Sequence, residues 1–160
     1  MPRSPGKLHT PRQRRYEDTR PNAAARGYGN EWRRVSNAFV LAYPFCLLCL
    51  CRGRVNEGAR QSPSRRGRSL HVDHITPHNG DAALICEQTN LQTLCATPCH
   101  AVEKRRIENT THDVRGSWFA YLASELIRTQ SIDHLRSHAH GVPPGLLEAV
   151  TDRGGVDLWE

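Results

Sequence analysis

The sequence predicts an α+β fold, a small sheet set among helices and fastened by a zinc site. Apolar residues recur at three- and four-residue steps over residues 30–42 and again within the last 50 residues, the period of an amphipathic helix. Two short β-prone runs lie between them, LHVDHI at 70–75 and NLQTL at 90–94, and the turn-rich TPHNGD closes the first. Cys46-x2-Cys49 and Cys95-x3-Cys99 each offer two thiolates, enough together for a tetrahedral structural zinc site.

Each element has a local reason. Asn30 can cap the first helix, which carries Trp32, Val35, Phe39 and Tyr43 on one face and must stop at Pro44. Residues 100–108 (HAVEKRRIE) read as a helix with a charged outer face. Ser117 can cap a helix bearing Trp118, Tyr121, Leu122 and Leu126. Ser131 can cap another ending at Gly141, and Pro143-Pro144 precedes a third near 146–150. The expected organisation is a disordered basic arm at 1–27, a domain over 28–110, and a small helical C-terminal extension at 111–160.

Composition narrows the function. The chain is 38% apolar, below the usual ~45–50%, so some segments cannot bury enough surface to order themselves. No stretch approaches the roughly 18 apolar residues of a membrane span. The start, MPRSPGKLHTPRQRR, has no apolar core for a secretion signal. A cytoplasmic chain with no membrane partner is the expectation. Residues 1–69 carry Lys7 and fourteen arginines against four carboxylates, a net +11, whereas residues 70–160 carry a net −5. Of the 22 basic side chains, 20 are arginine, whose planar fork matches phosphate, so a polyanion such as nucleic acid is the expected partner. Residues 60–68 (RQSPSRRGR) read as a second basic segment, a surface loop.

All six cysteines and four of the nine histidines fall in the middle of the chain. Without a secretion signal, metal ligands or free thiols are expected rather than disulfides. Cys51 and Cys86 lack pair-like spacing and read as free thiols, though either could replace one ligand, as could His100. Asp73 and His74 are adjacent, and a regular strand would aim them at opposite faces. The Thr76-Pro77 turn lets the strand end there and both approach one substrate. Phosphodiester hydrolysis needs a base, which a neutral imidazole supplies, and a counter-charge, which a divalent cation supplies.

The ordered set Ala25-Arg26-Gly27-Tyr28, Trp32-Arg33-Arg34, Pro44-Phe45-Cys46-Leu-Leu-Cys49, Gly53-Arg54-Val55, Val72-Asp73-His74-Ile75-Thr-Pro77-His78-Asn-Gly80-Asp81, Asn90-Leu91-Gln92-Thr-Leu94-Cys95 and Cys99-His100 resembles the HNH endonucleases, in particular the small phage and prophage type with an embedded zinc site. The resemblance spans about residues 25–104. It implies a ββα-metal core in which Asp73 and His100 hold a magnesium or manganese ion, His74 is the general base, and Asn90 orients His74 or braces the inter-strand loop. It further implies zinc on Cys46, Cys49, Cys95 and Cys99. DNA is the implied substrate, with Arg26, Arg33, Arg34 and Lys104 as expected contacts; Arg65, Arg66 and Arg68 of the basic 60–68 segment are expected to add further contacts to backbone phosphates. Terminase or other packaging proteins are implied partners, and the assembly is a monomer or homodimer. Three departures stand out: the extra residue in Cys95-x3-Cys99, the long insert between Val55 and His71, and a lysine that arrives at 104, one position late. The alternative from another class is a zinc-stapled DNA-binding or terminase-associated assembly protein without nuclease activity.

Overall fold

The computed structural model describes residues 21–56 and 69–154. The expectations for residues 1–20 and for the loop carrying Arg65, Arg66 and Arg68 fall outside these. At 21–27 the predicted disorder gives way to a hydrogen-bonded turn. Asn22 Oδ1 accepts from the Ala25 N–H at 2.8 Å, and the Tyr28 N–H donates to the Ala23 carbonyl at 2.8 Å.

Helix α1, Asn30–Ala42, starts one residue earlier than a capping Asn30 would require, because Gly29 occupies the cap position. Its buried residues are Trp32, Ser36, Phe39 and Val40. The Tyr43 N–H closes the last turn on Phe39, and Pro44, with no N–H to offer, ends it. Helix α2, Leu47–Cys51, is a single apolar turn with all five residues buried. Strand β1, Leu70–His74, pairs antiparallel with β2, Leu91–Cys95, in a register that sets Asp73 opposite Gln92 and His74 opposite Leu91. Between the strands lie the short helix α3, Ala82–Ile85, capped by Asp81, and a tight turn at Gln88–Asn90.

After β2 the chain enters a wide-turned helical segment, Ala96–Lys104, in which Thr97 is extended (φ −145°, ψ 134°), and continues as α4, Arg105–Glu108. The order strand, strand, helix therefore stands at the centre of an α+β molecule. Helix α5, Val114–Thr129, is capped by Asp113, whose Oδ1 accepts from the Gly116 N–H at 2.9 Å; the expected cap Ser117 lies inside the helix. Helices α6, Ile132–Ser137, and α7, Pro144–Gly154, follow. No helix among the described residues is long and apolar enough to cross a membrane.

The C-terminal helices are integral to the core rather than appended to it. Trp118, Leu122, Leu126, Leu135, Leu146 and Val150 join Leu47, Leu48, Leu50, Leu70 and Leu94 in one buried cluster. The reason is α2: a turn that is apolar on every side needs cover on every side, and α5 supplies it. Trp32, Phe39, Ile85 and Leu91 form a second cluster beneath α1.

Polar contacts fix α5 over α2. Arg52 donates to Glu125 and, at 2.6 Å, to the Tyr121 hydroxyl, which itself donates to Glu103 at 2.9 Å. Hydrogen bonds from Arg128, then from Arg52, hold the Glu125 carboxyl below the usual carboxylate range against the opposing effect of burial. A depressed carboxyl stabilises the fold above its unfolded value, and the contribution fades as pH falls through the folded one. Glu125→Gln should therefore cost about 1–3 kcal/mol at pH 7, with Arg52 left unbalanced. Urea unfolding of both proteins at pH 7 and again near pH 3 checks this, and the gap between them should close in acid.

Candidate metal centre and active-site cleft

The four cysteines predicted as ligands converge. Cys46 leads into α2 and Cys49 lies within it; Cys95 ends β2, and Cys99 follows the extended step at Thr97. Their Sγ atoms all lie within 4.8 Å of one another, with Cys49 and Cys99 at 3.7 Å. Tetrahedral zinc with Zn–S bonds of about 2.3 Å sets its sulfurs about 3.8 Å apart, so the cluster is sized for that ion. The extra residue in Cys95-x3-Cys99 does not keep the thiols apart. Burial pushes the Cys46 thiol up, while hydrogen bonds from Cys46, Cys49 and Cys99 draw Cys95 down, so the four thiols do not ionise alike. A central cation is what would let all four ionise together. Four buried cysteines placed this way could hold a metal ion such as zinc. Cys51 stays outside the cluster, its thiol pushed up to about 12 by burial, as does the half-buried Cys86.

A cleft of about 480 Å³ opens beside this centre, lined by Arg26, Tyr28, Asp73, His74, His78 and His100 among others. Asp73 and His74 both reach it because β1 ends at His74 and the chain bends away immediately afterwards. His74 is buried, stacked on Trp32 with ring centroids 4.8 Å apart and planes at 22°. Its Nε2 lies 2.9 Å from the Ile85 carbonyl. A carbonyl can only accept, so Nε2 carries the hydrogen and the neutral ring keeps its lone pair on Nδ1. Gly27 (φ +89°) makes the close passage to Ile85 feasible, since any Cβ there would overlap the Ile85 side chain.

On the other side, Asp73 Oδ1 lies 3.4 Å from His100 Nε2. The hydrogen bond to Asp73 raises the His100 pKa despite burial. His100 is thus a partner of Asp73 and stands apart from the four-cysteine group. Two neighbouring ligands of an octahedral ion at about 2.1 Å stand about 3 Å apart, a spacing close to the 3.4 Å between Asp73 and His100. Asn90 braces the loop rather than the His74 ring. Its Oδ1 accepts from the Thr76 N–H at 2.9 Å, and its Nδ2 donates to the Thr76 carbonyl at 3.0 Å.

Of the predicted phosphate contacts, Arg33 and Arg34 are exposed on α1, and Arg26 lines the cleft over the Tyr28 ring. Lys104 is a correction. It is fully buried, 2.7 Å from Glu108 and 4.0 Å from Asp73 Oδ2, so its ammonium cannot meet a DNA backbone. Lys104 lies three residues before the buried Ile107 and shares its inward helix face.

Several contributors carried no assigned role in the sequence. His78 sits 4.9 Å from His74 by ring centroid, and its Nε2 is 3.0 Å from the Tyr28 hydroxyl; burial, then the neighbouring His74, lowers its pKa. Gln92 and Trp118 lie behind Asp73, where only the strand register and the return of α5 could have put them. Comparison with family models, curated proteins and solved structures gives no match, so the cleft is read from its own chemistry.

Proposed function

We propose that the protein is an HNH-type endonuclease that hydrolyses DNA phosphodiesters with one divalent ion, magnesium or manganese, beside a structural zinc. The observation that carries this reading is the arrangement of His74, with Nε2 committed to the Ile85 carbonyl, in the same cleft as the Asp73–His100 pair. The strand–strand–helix order around them is that expected of a ββα-metal core.

In the proposed reaction, His74 Nδ1 takes the proton of the attacking water while Nε2–H stays on Ile85, so the ring gains charge without reorienting. Trp32 beneath the ring keeps it at one angle, and Asn90 holds the loop backbone that follows β1. Asp73 and His100 would hold the divalent ion, which supplies positive charge against the phosphate and leaving oxygen. Arg26, Arg33 and Arg34 would meet the DNA backbone without reading bases, so binding should weaken steeply with salt. Processing or packaging of phage DNA alongside terminase, in the cytoplasm, is the role that accompanies this reading.

Supercoiled plasmid incubated with the purified protein and Mg²⁺ should be nicked or linearised, and EDTA or Asp73→Asn should prevent it. Plasmid that is bound but never cut under any divalent ion would favour the zinc-stapled binding protein instead.

A further inference from the structure

Behind Asp73 runs a buried line of donors and acceptors. Gln92 is its cross-strand partner, and both Gln92 and Trp118 are fully buried. The Trp118 indole N–H can only donate, and it lies 2.7 Å from Gln92 Oε1. That fixes the carboxamide orientation and leaves Gln92 Nε2 to donate to Asp73 Oδ2, at 3.2 Å. The buried Lys104 ammonium stands 4.0 Å from the same oxygen. Both therefore engage Oδ2, while Oδ1 is the oxygen turned toward His100 at 3.4 Å.

We propose that Gln92, anchored by Trp118 of the C-terminal helix, is a positioning residue that holds the Asp73 carboxylate so that Oδ1 alone is presented to the cleft cation. The inference rests on the reading of this cleft as a divalent-metal site and gives residues 111–160 a part in building it. Gln92 touches neither substrate nor cation; it acts through Asp73. Removing such an outer hydrogen-bond partner of a ligand weakens metal affinity by roughly 10- to 100-fold in characterised sites.

The probe is Mn²⁺ alone, titrated into the zinc-loaded full chain and followed by the EPR signal of the free ion. Gln92→Met, close in shape but without a donor, should raise the Mn²⁺ dissociation constant about tenfold while zinc content and far-UV circular dichroism stay unchanged. Trp118→Phe should raise it in the same direction by no more. The double variant should bind Mn²⁺ no more weakly than Gln92→Met, because the indole N–H lost in Trp118→Phe acts through Gln92, while the phenyl ring still faces Lys104. Unchanged affinity in Gln92→Met, or single effects that simply add, overturns the proposal. If Gln92→Met does not fold, Trp118→Phe decides alone, and wild-type affinity in it is the overturning result. Asp73→Asn separates the two levels: if it binds Mn²⁺ as the wild type does, the metal-site reading itself fails and the positioning role falls with it.

Discussion

Plasmid mixed with magnesium and the His74→Ala protein should remain supercoiled over a time in which the wild type converts it fully. General-base catalysis contributes roughly 10²- to 10⁴-fold, and on the proposed reading no other side chain among the described residues of the cleft is arranged to replace His74. His78 is nearby, but its Nδ1 accepts from the Gly80 N–H at 3.1 Å and its Nε2 faces the Tyr28 hydroxyl at 3.0 Å. Both of its nitrogens are engaged. Truncating His74 leaves Asp73, His100 and the four cysteines in place, so Mn²⁺ affinity, zinc content and retention of DNA on a gel should change little. Wild-type cleavage by this variant would remove His74 from the chemistry and leave the cleft without an assigned base.

The second large effect belongs to the cysteines. Cys99→Ser should carry far less than the one zinc per chain expected of the wild type and should lose its cooperative thermal transition. Structural zinc in small peptides has an apparent binding free energy of about 10–16 kcal/mol at neutral pH, comparable to the whole stability of a domain this size. Here the ion would join α2 to the end of β2, and α2 lies at the centre of the larger buried cluster. Because His100 directly follows Cys99, losing the vertex also frees His100 from its place beside Asp73, and on the proposed reading cleavage should disappear with the zinc. Cys86→Ser, outside the cluster, is the control and should keep its metal. Elemental analysis and a melting curve test both, and full zinc in Cys99→Ser would dismiss the four-thiolate site.

Local chemistry was the legible part of this sequence. Proline 44 and the apolar spacing from Trp32 placed α1 to within its cap, and both strands were found within one residue of their ends. The cysteine pairs announced their own meeting, since two such spacings supply the four thiolates of a tetrahedral site. What escaped depends on geometry between elements. Asp113 rather than Ser117 caps α5 because its oxygen reaches the Gly116 N–H, a matter of where the preceding loop lies. Lys104 was expected against DNA as a basic residue of the HNH-like pattern, whereas its partners Glu108 and Asp73 hold it inside. The last 50 residues gave up their amphipathic helices readily but not their target, since a buried face does not name what it is buried against. For Asn90, two roles fitted its place beside β2, and only the Thr76 contacts separate them.

The return of α5 over α2 has a consequence for how the protein comes into being. Trp118, Leu122 and Leu126 are synthesised after every residue of the cleft, yet they close the core on which β1 and β2 rest. A growing polypeptide that has not yet released this helix from the ribosome holds Asp73, His74 and His100 without the wall behind them. On the proposed reading, DNA-cutting ability is expected only once this helix has been made and packed over α2.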